Sequence, residues 1–142
     1  MAKGRPSKQP TVPTRSVQPA QAGNYLRKAE QHLALALQAF ADGRWDSAVL
    51  LSVHAAISAG DAASAAKHGL RSASQSHSDQ VKLLRQLFPD DDATTRVSNQ
   101  LAALIDRKNT VEYEARPCTQ KDAEVATRQA ERVVQWARTA SS

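Results

Sequence analysis

The stretch WDSAVLLSVHAAISAGDAASAAKH, Trp45 to His68, decides the fold. It is apolar or small almost all the way round a helix, carries no alternating β-branched or aromatic run, and is followed by Gly69, a natural C-terminal stop. A helix with no polar face is buried by neighbours on several sides, so this segment is expected at the centre of a helical bundle. Ser52, Ala55, Ala59, Ala62 and Ala66 form a ridge of small residues over which another backbone can pass closely. Gly60 weakens the helix by ~1 kcal/mol relative to Ala and marks a kink or a tight contact.

Upstream, the joint Asp42-Gly43-Arg44 is so short that the preceding helix must pack antiparallel as an αα-hairpin. That first helix is predicted from an Asn24 cap over Tyr25 to Ala41, with Leu26, Ala29, Leu33, Leu37 and Phe40 on one face. Downstream, a Ser-rich joint from Arg71 to Ser78 leads to a short third helix, about Asp79 to Phe88, which Pro89 ends. Asp90, Asp91 and Asp92 precede a fourth helix, where one can cap it and the others favour its positive end. Its stripe is Val97, Leu101, Leu104 and Val111, and Pro117 limits it. Thr119-x-x-Asp122 approximates a capping box for a fifth helix reaching about Thr139. The expected fold is therefore all-α, a single antiparallel bundle of about five helices.

The 142 residues suit one domain, and two Trp, two Tyr and two Phe leave alanine to fill much of the core. Residues 1–22 carry Pro6, Pro10, Pro13 and Pro19 among polar side chains and are expected to be a disordered basic tail, with the bundle over 23–139. Of the nineteen basic residues, Lys3, Arg5, Lys8 and Arg15 belong to that tail, which leaves fifteen against fourteen acids, or +1, out of the overall +5. The high pI is thus a property of the tail, which either solubilises the domain or adds weak, salt-sensitive attraction to a polyanion. Cys118 is the lone cysteine, no uninterrupted apolar run approaches membrane-spanning length, and no signal-peptide core follows the N-terminal charges. The expectation is a soluble cytoplasmic protein without a membrane anchor.

Cofactor and metal chemistry find no footing. The histidines at 32, 54, 68 and 77 lack zinc spacing, the aspartate triplet lacks the spaced oxygens and glycine of a calcium loop, and no Gly-rich phosphate loop exists. His54 and Asp61, seven apart on one side of the central helix, are either locally satisfied or candidate ligand-binding residues lining a cleft shared with Tyr113. Arg71 and His77 are formally spaced as an Arg-x5-His pair but lie in the joint between helices two and three, where His77 and Ser78 suit the start of the third helix.

The densest polar group closes the fourth helix: Arg107, Lys108, Asn109, Glu112 and Tyr113. Lys108 and Glu112, four apart, can pair for a few tenths of a kcal/mol, and on that basis alone the group is a solvated helix end. The string Arg107-Lys108-Asn109-Thr110-Val111-Glu112-Tyr113, late in the fourth of five helices, resembles the signature region of HEPN domains. These are small all-α up-and-down bundles found in bacterial conflict and stress systems. In that family a basic residue followed by a polar one, usually Asn, opens the motif, and a His, sometimes with a nearby Tyr, closes it. The resemblance extends through helix order and length over roughly Gly23 to Thr139. It implies a homodimer whose motifs meet across a cleft and, where the protein is an enzyme, metal-independent RNA cleavage by attack of a ribose 2′-hydroxyl on the adjacent phosphate.

Carried over, Arg107 or Lys108 takes the basic place and Asn109 the polar one, while the His place is held by none of Thr110, Val111, Glu112 or Tyr113. A tyrosine with a reference pKa near ~10 is a poor general base at neutral pH, and losing a positioned acid–base group costs about 10²–10⁴ in rate. Glu112 could in principle substitute. The expectation is a non-catalytic or weakly active HEPN-like interaction module, dimeric, binding a protein partner such as an antitoxin, or RNA or a nucleotide, in a stress, toxin–antitoxin or phage-defence setting. A ribonuclease toxin with altered motif chemistry and a plain helical scaffold are the alternatives.

Overall fold

A computed structural model describes residues 10–114 and 116–142. Among them are five helices, α1 (Pro19–Ala41), α2 (Trp45–His68), α3 (His77–Leu87), α4 (Asp92–Tyr113) and α5 (Gln120–Ser141), and two short strands, β1 (Thr14–Ser16) and β2 (Leu70–Ser72). The composition dictates the centre. Ala48, Val49, Val53, Ala55, Ala56, Ala59, Ala62 and Ala63 of α2 are wholly buried, and α2 touches each of the other four helices. Gly43 at φ 74° turns α1 into α2, and Gly69 at φ 65° closes α2 in the left-handed conformation that glycine adopts without penalty.

By length and hydropathy α2 could cross a membrane, but 67% of its most apolar window is buried inside the bundle, the profile of a core helix. Gly60 marks a tight contact. A Cβ there would stand 2.7 Å from Nε2 of Gln80, an amide fixed by donating to the Ile57 carbonyl (2.7 Å) and to Asp61 (3.0 Å). At the far side of the core, Phe88 stands edge-on between the rings of His68 (5.1 Å) and Trp136 (4.9 Å). Asp91 caps α4 by accepting from the Thr94 amide at 2.9 Å, and Thr119 with Asp122 forms the complete capping box of α5.

Three details differ from the sequence expectation. Residues 10–22, assigned to the tail, are ordered: β1 runs antiparallel to β2 with Arg15 opposite Arg71, and Val12 and Val17 are buried. Val12 packs on Leu83 and Leu87, and Val17 on Ala22 and Ala65, so two isolated valines in a polar, proline-rich stretch hold it through tertiary contact. The part of the expected tail before Pro10 lies outside the described residues. Helix α1 begins at Pro19, whose fixed φ and missing N–H suit the first helical position, while Asn24 accepts from Arg27 at 2.6 Å inside the helix. Finally, Leu37 is 40% exposed, and the buried face of α1 is Ala29, Leu33, Ala36 and Ala39.

Candidate functional site

The site follows from where the stripe of α4 goes after the core ends. Leu101, Leu104 and Ile105 are buried, and the same face continues at three- and four-residue steps into Lys108 and Glu112. There the apolar filling is replaced by an ion pair: Lys108 Nζ stands 2.9 Å from Glu112 Oε1, with only 17% of the lysine side chain exposed. Opposite it lie His54 of α2 and His77 in the first turn of α3. Partial burial holds the His54 imidazole below its ordinary value, and the positive influence of His32, Lys108 and His77 adds to this while Glu112 opposes it. His77 is lowered likewise, by burial and then by Lys108. His32 of α1 completes the group, its ring 5.8 Å from that of His54 and its Nδ1 buried without a hydrogen-bond partner. His54 and His77, from two helices, therefore lie within electrostatic range of one lysine–glutamate pair, and His32 joins them only through its ring contact with His54.

Arg107 belongs to a different place. It lies about 100° round the helix from Lys108 and faces α5, donating from Nη1 to Asp122 at 3.3 Å. Arg116 approaches the other oxygen of Asp122 at 3.7 Å. Asp122 is held below the usual carboxylate range first by its hydrogen bond from the Thr119 amide and further by Arg116 and Arg107. These groups border a recess of about 320 Å³ walled by Val49, Thr110, Val111 and Cys118. The Cys118 thiol is pushed up to about 11 by burial and by Asp46, which disfavours the thiolate at neutral pH.

Asn109 and Tyr113 point a third way. Both are exposed, Tyr113 by 84%, one helical turn apart on the outer surface of α4. The five motif residues thus split three ways instead of lining one recess within the chain. His54 and Asp61 also part company. Asp61 sits two turns further along α2, accepting from Gln80 and electrostatically coupled to Arg71, and burial pushes its carboxyl up to about 6 against both neighbours. Arg71 in turn donates to the Tyr25 hydroxyl at 2.9 Å and covers the Tyr25 ring at 5.5 Å. Arg71 and His77 accordingly serve separate clusters.

No group of three or more metal-ligating side chains occurs among the described residues. The bundle, its helix order and the position of the polar motif late in α4 form the setting for the comparisons with known proteins. The HEPN domain model matches residues 22–140. The chain belongs to the HEPN domain family. No curated protein and no solved structure matches it. Within this HEPN domain, the imidazoles that neighbour Lys108 come from α2 and α3. Sequence reasoning singled out His54 but missed His32 and His77 as its companions. The available signal was the buried stripe of α4 running straight on into Lys108 and Glu112, which requires polar company on the facing helices.

Proposed function

We propose that this HEPN domain is an interaction module without efficient RNA-cleaving activity, that it works as a homodimer, and that the exposed Asn109–Tyr113 face is where the second copy docks. The observation that carries this is the Lys108–Glu112 pair. A carboxylate beside the motif lysine neutralises the charge that would steady a phosphate. A large aromatic side chain left 84% exposed at the end of an otherwise packed helix suits a contact between proteins. The setting proposed is the bacterial cytoplasm, in a stress, toxin–antitoxin or phage-defence system, with a protein such as an antitoxin, RNA or a nucleotide as the bound partner.

A second reading rests on His54 and His77, which are electrostatically coupled to Lys108 and shifted towards the neutral form that a general base in a metal-independent ribonuclease needs. One pair of measurements separates the two. The mass in solution at tens of micromolar is expected to be that of a dimer for the native chain and of a monomer for Tyr113→Glu, and incubation with RNA in EDTA is expected to give no cleavage. Glu112→His is expected to introduce cleavage. RNA cleavage by the native chain that His54→Ala or His77→Ala abolishes would replace the first reading by the second, and a native monomer would remove the dimer.

A further inference from the structure

At the other end of α4 a groove of about 690 Å³ runs over α5 between α1 and α4. Its floor is apolar and continuous with the core: Leu33 and Val97 are nearly buried, Leu37 remains 40% exposed, and Trp136 packs edge-on against Phe88. Its rim is basic. Arg96 from α4 and Arg132 from α5 have no hydrogen bond or ion pair among the described residues, whereas Arg138 is tied to Glu30 at 2.6 Å and to Gln135 at 3.0 Å. Glu131 is the one acidic side chain that borders it. Two guanidiniums left unneutralised beside a solvent-facing aliphatic floor call for an occupant that brings both apolar side chains and carboxylates.

We propose that this groove docks an acidic amphipathic helix of a partner protein, its apolar side chains laid on Leu37, Val97 and Trp136 and its carboxylates paired with Arg96 and Arg132. Grooves between helices accept helical segments whose anchors recur at three- and four-residue spacing, and the volume lies in the range of formed binding sites. The chain's own N-terminal residues are excluded by sign, since Lys3, Arg5, Lys8 and Arg15 would meet a rim of like charge. Nucleic acid fits less well: Trp136, the one aromatic ring of the floor, is already packed against Phe88, Glu131 repels phosphate, and two free arginines release few counterions. The proposal is independent of the dimer and of the motif chemistry.

The test uses the full-length chain and a labelled synthetic peptide about five helical turns long, with Leu at the spacing of one face and Glu elsewhere, against the same peptide with Lys in place of Glu. Fluorescence anisotropy is expected to show the Glu peptide binding roughly ten-fold more tightly, with the preference shrinking as salt is raised. The double substitution Arg96→Glu, Arg132→Glu, made at two exposed positions, is expected to invert the preference, which a misfolded variant could not do. Leu37→Asp is expected to abolish binding of both peptides. Equal binding of the two peptides, no binding of either, or a charge-reversed variant that fails to invert would overturn the proposal. So would single-stranded RNA binding that depends on the same arginines, or a self-association that Leu37→Asp abolishes, because each names a different occupant.

Discussion

Asp61 is the side chain whose charge the fold accommodates least well. Burial raises its carboxyl from 3.8 to about 6 even though Arg71 and Gln80 both favour the charged form. Between those two values the folded protein keeps a proton that the unfolded chain has released, so this group's contribution to stability falls as pH rises through the window and stays at its lowest above it. The displacement corresponds to at most roughly 3 kcal/mol, and partial contact with solvent reduces it. Asp61→Asn keeps an acceptor for Gln80 and removes the charge, so it is expected to stabilise the protein by about 1–2 kcal/mol at pH 8, with the gain disappearing towards pH 4. Urea unfolding of both proteins at several pH values checks this, and a gain independent of pH would refute it. His54 and His77 act with the opposite sign, since imidazoles held below 6.5 take stability away as pH falls below 6.5. Taking the difference between Asp61→Asn and the native chain cancels that background. None of this was legible in the sequence, where an Asp seven residues from a His looked like its companion; the 10 Å or so of helix axis that seven residues span places them at separate clusters.

At the scale of elements, Gly60 reverses the usual rule for helices. Alanine in place of a mid-helix glycine ordinarily stabilises by ~1 kcal/mol, but here the added methyl would stand 2.7 Å from Nε2 of a Gln80 that is 3% exposed and fixed by two hydrogen bonds. Gly60→Ala is therefore expected to cost about 1–2 kcal/mol through those bonds. In a Gln80→Ala background the same change is expected to stabilise, and a double-mutant cycle by denaturant melts reads the reversal. The glycine was visible in the sequence as a site of close approach; the glutamine was not, because its position is fixed by how α3 crosses α2. The same division runs through the bundle. The limits of α2 were readable to within about a residue, as a start near Trp45 or Asp46 and an end at about His68, since a joint with Gly43 and a terminal Gly69 bracket an unbroken apolar run. The start of α1 was missed by six residues because Pro19 counts equally as a marker of disorder and as a helix opener. The split of the motif, by contrast, was implicit in the sequence: Arg107, Lys108 and Asn109 are consecutive on one helix and must point about 100° apart, so one chain cannot aim all three into one recess.

For the molecule as a whole, the N-terminal arm links stability to the geometry of the site. Residues 10–17 pair with β2 and lie against α3, with Val12 on Leu83 and Leu87 and with Thr11 bonded twice to Gln86, at 3.0 and 2.7 Å. Helix α3 is the shortest of the five described, carries His77 in its first turn, and packs against α2 and α4, where His77 senses Lys108 and Glu112. Clamping α3 thus also fixes where one of the two imidazoles coupled to Lys108 stands. Burying two valines contributes about 1.5–3 kcal/mol each, partly offset by the entropy of ordering the arm. Deleting residues 1–17 is therefore expected to cost roughly 1–3 kcal/mol overall. The loss should be uneven, because α1, α2 and α5 share a continuous core, whereas Val17 of the arm packs in a separate small cluster with Ala22 and Ala65, flanked by Tyr25 and Ala66. Amide exchange in the deletion variant is expected to accelerate in β2 and α3 while the central turns of α2 remain protected, and Val12→Asp is expected to reproduce the pattern in α3 within the full-length chain. Unchanged protection of α3 in both variants would mean that the arm rests on the bundle without holding it, and that His77 owes its position to α2 and α4 alone.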